Sequence, residues 1–150
     1  MTYDKNMMGR NHILVNLSAA ILLDLSLANT VALILSATFP DKVDFYLYLQ
    51  HRRYSHWWPL YAAGLFLSYY LFGYTDQRVF CWIGFFCTGC LLHILADFFT
   101  PAGIPGISVK YQHRIALFKT NSLTEYLIAV CVFTVSFWFK GITWLNHLVQ

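Results

Sequence analysis

Long apolar runs separated by short polar segments dominate the chain, and their lengths predict helices on the scale of a bilayer. A crossing helix needs about 20 apolar residues, and three segments meet or approach that length. Residues 57–74 form the first, bounded by HRRYSH before it and TDQR after it. Residues 79–99 form the second, and the four residues between the two predict a tight antiparallel hairpin. Residues 123–139 form the third, ending at Lys140-Gly141 with an interfacial tail through Trp144 and His147.

The N-terminal run over 13–39 reads differently, because Asp24 and Asn29 break its middle, with Ser26 and Thr30 beside them. A single span would hold a carboxylate near mid-bilayer at a cost of about 2.5–3.5 kcal/mol. Two short helices meeting over 23–29 relieve that cost if the turn is covered by protein or water. The pattern therefore predicts an all-α, polytopic membrane helical bundle forming one domain over 1–150. It has three full spans plus an N-terminal helical hairpin, with a fourth span as the alternative.

Composition agrees with a membrane protein. Of the 150 residues 58% are hydrophobic, 19% aromatic and only 11% charged, against roughly 25% charged in soluble domains. The first twelve residues are polar and no small-residue cleavage site follows the first apolar run, so the N-terminus is expected to be retained. Lys42, Arg52, Arg53, Lys110, Arg114 and Lys119 fall on one predicted face, and Arg78 and Lys140 on the other. By the positive-inside rule the first face is cytoplasmic. Cys81, Cys87, Cys90 and Cys131 lie in apolar stretches and read as small buried side chains, the CTGC spacing of 87–90 included. Membrane lipids are the expected partners, and nucleic acid is not.

The candidate chemistry centres on LLHILADFFTPAGIP at 91–105, where His93 and Asp97 stand four apart and share a helix face. The helix beginning near His56 leaves one membrane face and the helix ending near Asp97 returns to it. His56, His93 and Asp97 therefore share a depth. Asp41 and Asp44 precede His56 with no crossing between, and His12 joins them if the N-terminal run is a hairpin. Ionisable groups at membrane depth are costly and mark function. Imidazole and carboxylate together suit zinc or a similar first-row divalent ion. Arg52 and His51 are placed to meet an anionic group such as a phosphate. Asp44 reads as an N-terminal helix carboxylate, with an acceptor behind the metal ligands as the alternative, Arg53 as an interfacial arginine, and His113 and His147 as surface or interfacial. Thr100-Pro101 stops the helix one turn after Asp97, and two Pro and two Gly over 101–106 make a fixed rim for the site.

Three blocks, FPDKVDF, HRRYSHW and LLHILADFFTPAGIP, resemble the signatures of the LexA-regulated inner-membrane metal-dependent hydrolase family (YdjM-like). That family carries a Leu-Pro-Asp block, a His-Arg-Gly-x-Thr-His-Ser block and a Ser-His-x-x-x-Asp block followed by Thr-Pro-x-Gly. The resemblance covers about 39–106, with His12 near the start of the first apolar helix. Arg53, Ser55 and Trp57 replace the second block's Gly, Thr and final Ser. The second acid of the first block is displaced by one to Asp44, and its following His is Phe45.

The family is similar in turn to the zinc-dependent phospholipase C and single-strand nuclease superfamily. That likeness implies one metal on Asp41, His56, His93 and Asp97. It implies a second on His12 and Asp97, with Asp97 bridging, so that one or two zinc ions are expected in a bacterial inner-membrane enzyme. The expected function is hydrolysis of a phosphoester, a phospholipid or lipid-linked phosphate, at the cytoplasmic interface, with Asp41, His51, Arg52 and Asp97 as catalytic residues. The rival expectation is a non-enzymatic membrane adaptor or assembly protein whose metal is structural. A haem- or quinone-binding protein using paired histidines is the weaker third.

Overall fold

The structure, a computed structural model, describes residues 5–49, 52–120 and 122–149. It is mostly helical, and its first two helices are α1 (Lys5–Leu22) and α2 (Leu27–Ser36). The break between them falls at the polar residues that interrupt the apolar run. Asp24 takes a left-handed φ of 55°, and the helix closes with Leu25 N–H donating to the Ala20 carbonyl at 3.0 Å. Ten residues of α2 rise only about 15 Å, too little to cross a bilayer. The N-terminal run is a helical hairpin.

A short helix, α3 (Phe39–Tyr46), follows, with Pro40 in its first turn, where the missing N–H costs nothing. Helices α4 (Trp58–Thr75) and α5 (Arg78–Phe98) then form the expected antiparallel hairpin, turning at Asp76 with φ 53°. After α5 the chain turns through Gly103 at φ 68°, a left-handed angle that favours glycine. A two-residue antiparallel ladder follows, β1 (Ile104–Pro105) on β2 (Gln112–His113), so the fold is not wholly helical. The chain returns beneath the end of α5, where Ile115 and Leu117 N–H groups donate to the Phe98 and Phe99 carbonyls.

Helix α6 (Leu123–Ser136) starts at an N-cap, where Ser122 Oγ accepts from the Glu125 N–H at 3.2 Å. The expected end near Phe139 is a correction. The helix continues through a π turn (Phe137–Gly141) into α7 (Ile142–Val149), because the wider π turn absorbs Gly141 without breaking the backbone ladder. Its end ties back to the N-terminal hairpin: Trp144 Nε1 donates to the Leu25 carbonyl at 3.1 Å, and His147 Nδ1 lies 2.9 Å from Asp24 Oδ2.

Among the described residues two helices are long and apolar enough to cross a membrane, Arg78–Phe98 and Leu123–Val149. The expected first span, now α4, is shorter and dilutes its apolar residues with Tyr61, Ser68, Tyr69 and Tyr70. Its 18 residues rise about 27 Å, just under the hydrocarbon thickness of about 30 Å.

Burial is inverted relative to a soluble globule. His12, Asn16, Ser36, His56, His93, Asp97 and Thr100 are each at most 2% exposed, while Phe66, Tyr69, Trp138 and Phe139 are each more than 70% exposed. Polar groups inside and large apolar ones outside are what a lipid solvent permits. Asn16 shows how the interior is tied. Its side-chain amide donates to the Leu33 carbonyl of α2 at 2.7 Å and to the Gly89 carbonyl of α5 at 3.3 Å. Gly89 allows that approach, since a methyl there would collide with Ser36 Oγ and the Leu33 carbonyl.

Candidate metal centre

Four elements deliver polar side chains to one end of the bundle. Helix α5 presents His93 and Asp97 one turn apart, α3 presents Asp41 from its first turn, the segment before α4 presents His56, and α1 presents His12. One ligand atom from each of Asp41, His56, His93 and Asp97 lies within 4.8 Å of the others, and this cluster could hold a metal ion. His56 Nε2 is 3.1 Å from Asp97 Oδ2 and 3.4 Å from Asp41 Oδ1. His93 Nε2 is 3.5 Å from Asp97 Oδ2 and 3.7 Å from Asp41 Oδ1.

The outer partners orient both rings. His93 Nδ1 lies 2.7 Å from the Ala37 carbonyl, which can only accept, so Nδ1 carries the hydrogen and the neutral ring's lone pair is on Nε2. His56 Nδ1 meets Ser55 Oγ at 2.8 Å and Asp44 Oδ2 at 3.6 Å, which favours the same tautomer. The two Nε2 atoms then face each other 3.1 Å apart. Two lone pairs and two carboxylates converge on one point, which calls for a cation. Buried Asp97 Oδ2 has no well-formed hydrogen bond, as an atom reserved for a ligand would not. These donor types and their outer hydrogen bonds fit zinc or a similar divalent ion.

Charge points the same way. Burial alone would push the Asp41 carboxyl up, but the imidazoles of His56 and His93 beside it outweigh that and hold the group well below the usual carboxylate range. Burial alone would lower His56, but its hydrogen bonds to Asp41 and Asp97 outweigh that and raise it. Formally, three carboxylates (Asp41, Asp44, Asp97) face one guanidinium (Arg52), an excess of two negative charges.

Arg52 is 3% exposed in a left-handed conformation, φ 58°. Its Nη2 donates to Asp97 Oδ1 at 2.7 Å and its Nη1 to Thr100 Oγ1 at 2.7 Å. The guanidinium is thus engaged with the cluster rather than spread on an open surface. His12 Nε2 lies 3.7 Å from Asp97 Oδ1, and its ring stacks obliquely on His93 with centroids 3.9 Å apart. Five predicted residues, His12, Asp41, His56, His93 and Asp97, come together with Arg52; His51 lies outside the described residues.

Asp44 corrects the expectation of an N-terminal helix carboxylate. It lies beyond the first turn, 4% exposed, where Oδ2 accepts the Arg52 N–H at 2.9 Å and faces His56 Nδ1. The tertiary fold brings Asp44, Arg52 and His56 together, which local spacing does not reveal. Ser55, Thr100 and the Ala37 carbonyl also escaped sequence reasoning. For Ser55 the signal was the hydroxyl kept beside His56, and for Thr100 the helix-stopping Thr-Pro.

The sequence pattern of the YdjM inner membrane protein family matches residues 7–148. The chain belongs to that family. The match extends the likeness of the three blocks to nearly the whole chain, and with the two apolar helices it marks an inner membrane protein. No curated protein and no solved structure matches this YdjM-family chain.

Proposed function

We propose that this YdjM-family chain is a multi-pass, membrane-bound, metal-dependent hydrolase of phosphoesters. The observation that carries the reading is the pair of Nε2 atoms of His56 and His93, face to face at 3.1 Å between the Asp41 and Asp97 carboxylates. A similar ligand set in the zinc-dependent phospholipase C and nuclease superfamily supports zinc as the ion. The basic residues at this end of the bundle, Lys42, Arg52, Arg53, Lys110, Arg114 and Lys119, support a cytoplasmic face. The α4–α5 hairpin and the long α6–α7 helix support more than one crossing.

An ion bound by the cluster supplies a Lewis acid that lowers the pKa of bound water to about 7 and polarises a phosphoryl oxygen. Asp41, whose side chain is 23% exposed against 0–2% for the other three, opens the cluster outward and orients the incoming water. Arg52 holds Asp97 in place, and its buried Nε, without a hydrogen-bond partner, is the donor left for a phosphate oxygen. His51, next in sequence to Arg52, is assigned to the same anion. One ion is the reading favoured here, because the Arg52 guanidinium occupies the flank of Asp97 Oδ1 that an ion shared with His12 would need.

Burial favours a second reading. Asp41, His56, His93 and Asp97 already number four protein donors, the count of a closed structural zinc site. One experiment separates the two. The chain purified in detergent is analysed for metal by mass spectrometry and assayed on bis-p-nitrophenyl phosphate, beside His93→Ala. One divalent ion per chain and metal-dependent cleavage, both lost in His93→Ala, support the hydrolase. A tightly held ion with no cleavage supports the structural site. Full metal content in His93→Ala overturns both.

A further inference from the structure

A guanidinium commonly takes both oxygens of a carboxylate through two parallel N–H bonds. Arg52 does not do so with Asp97. Its Nη2 donates to Asp97 Oδ1 at 2.7 Å, while the buried Oδ2 has no well-formed hydrogen bond. The other arm of the fork, Nη1, goes instead to Thr100 Oγ1 at 2.7 Å, on a residue 48 positions away in the chain.

The end of α5 sets Thr100 in that place. Thr100 lies three residues after Asp97, 1% exposed, and its hydroxyl donates to the Asp97 carbonyl at 2.8 Å. Its N–H donates to the same carbonyl at 3.0 Å. A hydroxyl carries a single hydrogen. With that hydrogen spent on the backbone, the oxygen turns only lone pairs toward Arg52. Pro101 follows and disfavours a further helical turn. A threonine bonded only to its own turn would be a plain helix stop. The bond to Arg52, from a different segment, gives the hydroxyl a second task.

We infer that Thr100 is a positioning residue that divides the two oxygens of Asp97 between arginine and ion. By holding Nη1 it keeps the guanidinium off Oδ2, which faces His56 Nε2 at 3.1 Å and His93 Nε2 at 3.5 Å. Oδ1 goes to Arg52, and Oδ2 is left as the ligand. Without the hydroxyl, Nη1 becomes a buried donor with no acceptor, a costly state. Closing the fork on both oxygens of Asp97 relieves it and takes Oδ2 from the ion. The inference rests on the ion-binding part of the reading above and is independent of the reaction. It adds a residue whose effect on the ion runs through Arg52.

The test titrates full-length protein in detergent with zinc ion against a chromophoric chelator. Thr100→Val keeps the shape of the side chain and removes the hydroxyl, and zinc affinity should fall about 10- to 100-fold. Thr100→Ser keeps the hydroxyl and should bind as the wild type does. Arg52→Met removes the competing guanidinium, so adding Thr100→Val to it should cost no further affinity. A merely structural role would weaken binding in both backgrounds, and the double-mutant cycle separates the two. If Thr100→Val does not fold, Thr100→Ala removes the same oxygen with less bulk and is read the same way. Wild-type affinity in Thr100→Val, a loss in Thr100→Ser, or an equal loss in the Arg52→Met background overturns the assignment and leaves the metal centre standing. A wild-type chain that binds no zinc overturns the centre, and the assignment with it.

Discussion

His56 and His93, 37 positions apart in the chain, direct their Nε2 atoms at one another across 3.1 Å. Each ring is turned to that position from behind, His93 by the Ala37 carbonyl and His56 by Ser55 and Asp44. Outer partners of this kind set ring orientation and ligand basicity, and they are where the centre is most sensitive outside its ligands.

Ser55→Ala removes the 2.8 Å contact to His56 Nδ1 and leaves all four ligands in place. Metal affinity should fall about 10- to 100-fold, read by competition with a chromophoric chelator. Asp44→Asn should fall similarly and should also loosen the Arg52 backbone, which it holds at 2.9 Å. Wild-type affinity in both variants would remove the outer hydrogen bonds from the account.

The metal-free fold and the metal-bound form should respond to pH in opposite directions. His56 is raised above its ordinary value of 6.5, burial being outweighed by hydrogen bonds to Asp41 and Asp97. Its proton therefore stabilises the metal-free fold fully below about pH 6.5, and that contribution is lost as pH rises through the raised value. Metal must displace the same proton, so affinity rises with pH across that window. Asp41, held down, contributes stability above its ordinary 3.8 that is lost only as pH falls toward its folded value. Melting with chelator and metal titration, each run from pH 6 to 9, should slope oppositely, and parallel slopes would contradict the shared proton.

Gly89→Ala places a methyl against Ser36 Oγ, the Leu33 carbonyl and the Asn16 amide where α1, α2 and α5 meet. Overpacking of this kind costs about 1–3 kcal/mol, visible as a lower melting temperature in detergent. Adding Ser36→Gly should recover part of the loss, because Ser36 Oγ is the first atom met. No recovery would mean that the backbone contact with Leu33 sets the limit.

Arg52→Lys keeps the positive charge and removes the fork that reaches Asp97 and Thr100 together. Under the proposed function kcat should fall by about a hundredfold or more while metal content and KM for a soluble phosphodiester change little. A loss of metal instead would make Arg52 a support for Asp97 alone.

Much of the centre was legible before folding. Membrane depth puts His56, His93 and Asp97 at one end of a helical hairpin, and the polar break at Asp24 brings His12 to the same end. Both inferences need only helix rise and the cost of polar groups in lipid. The limits of the helices were less legible. Apolar composition did not reveal that a π turn carries α6 past Gly141, or that α4 falls short of a clear span. The choice of Asp44 as an acceptor over an N-terminal helix carboxylate needed the tertiary structure, because Arg52 and His56 meet it across the fold rather than along one helix.

The chain alone determined helicity, the inverted polarity suited to lipid, and which imidazoles and carboxylates end at a common depth, since these follow from residue spacing and solvation cost. Only the tertiary structure decided which nitrogen of each ring faces inward, that Arg52 lies on Asp97, and that Thr100 takes the other arm of its fork. Those outcomes depend on side-chain directions and on contacts between segments distant in sequence, which helical periodicity does not encode.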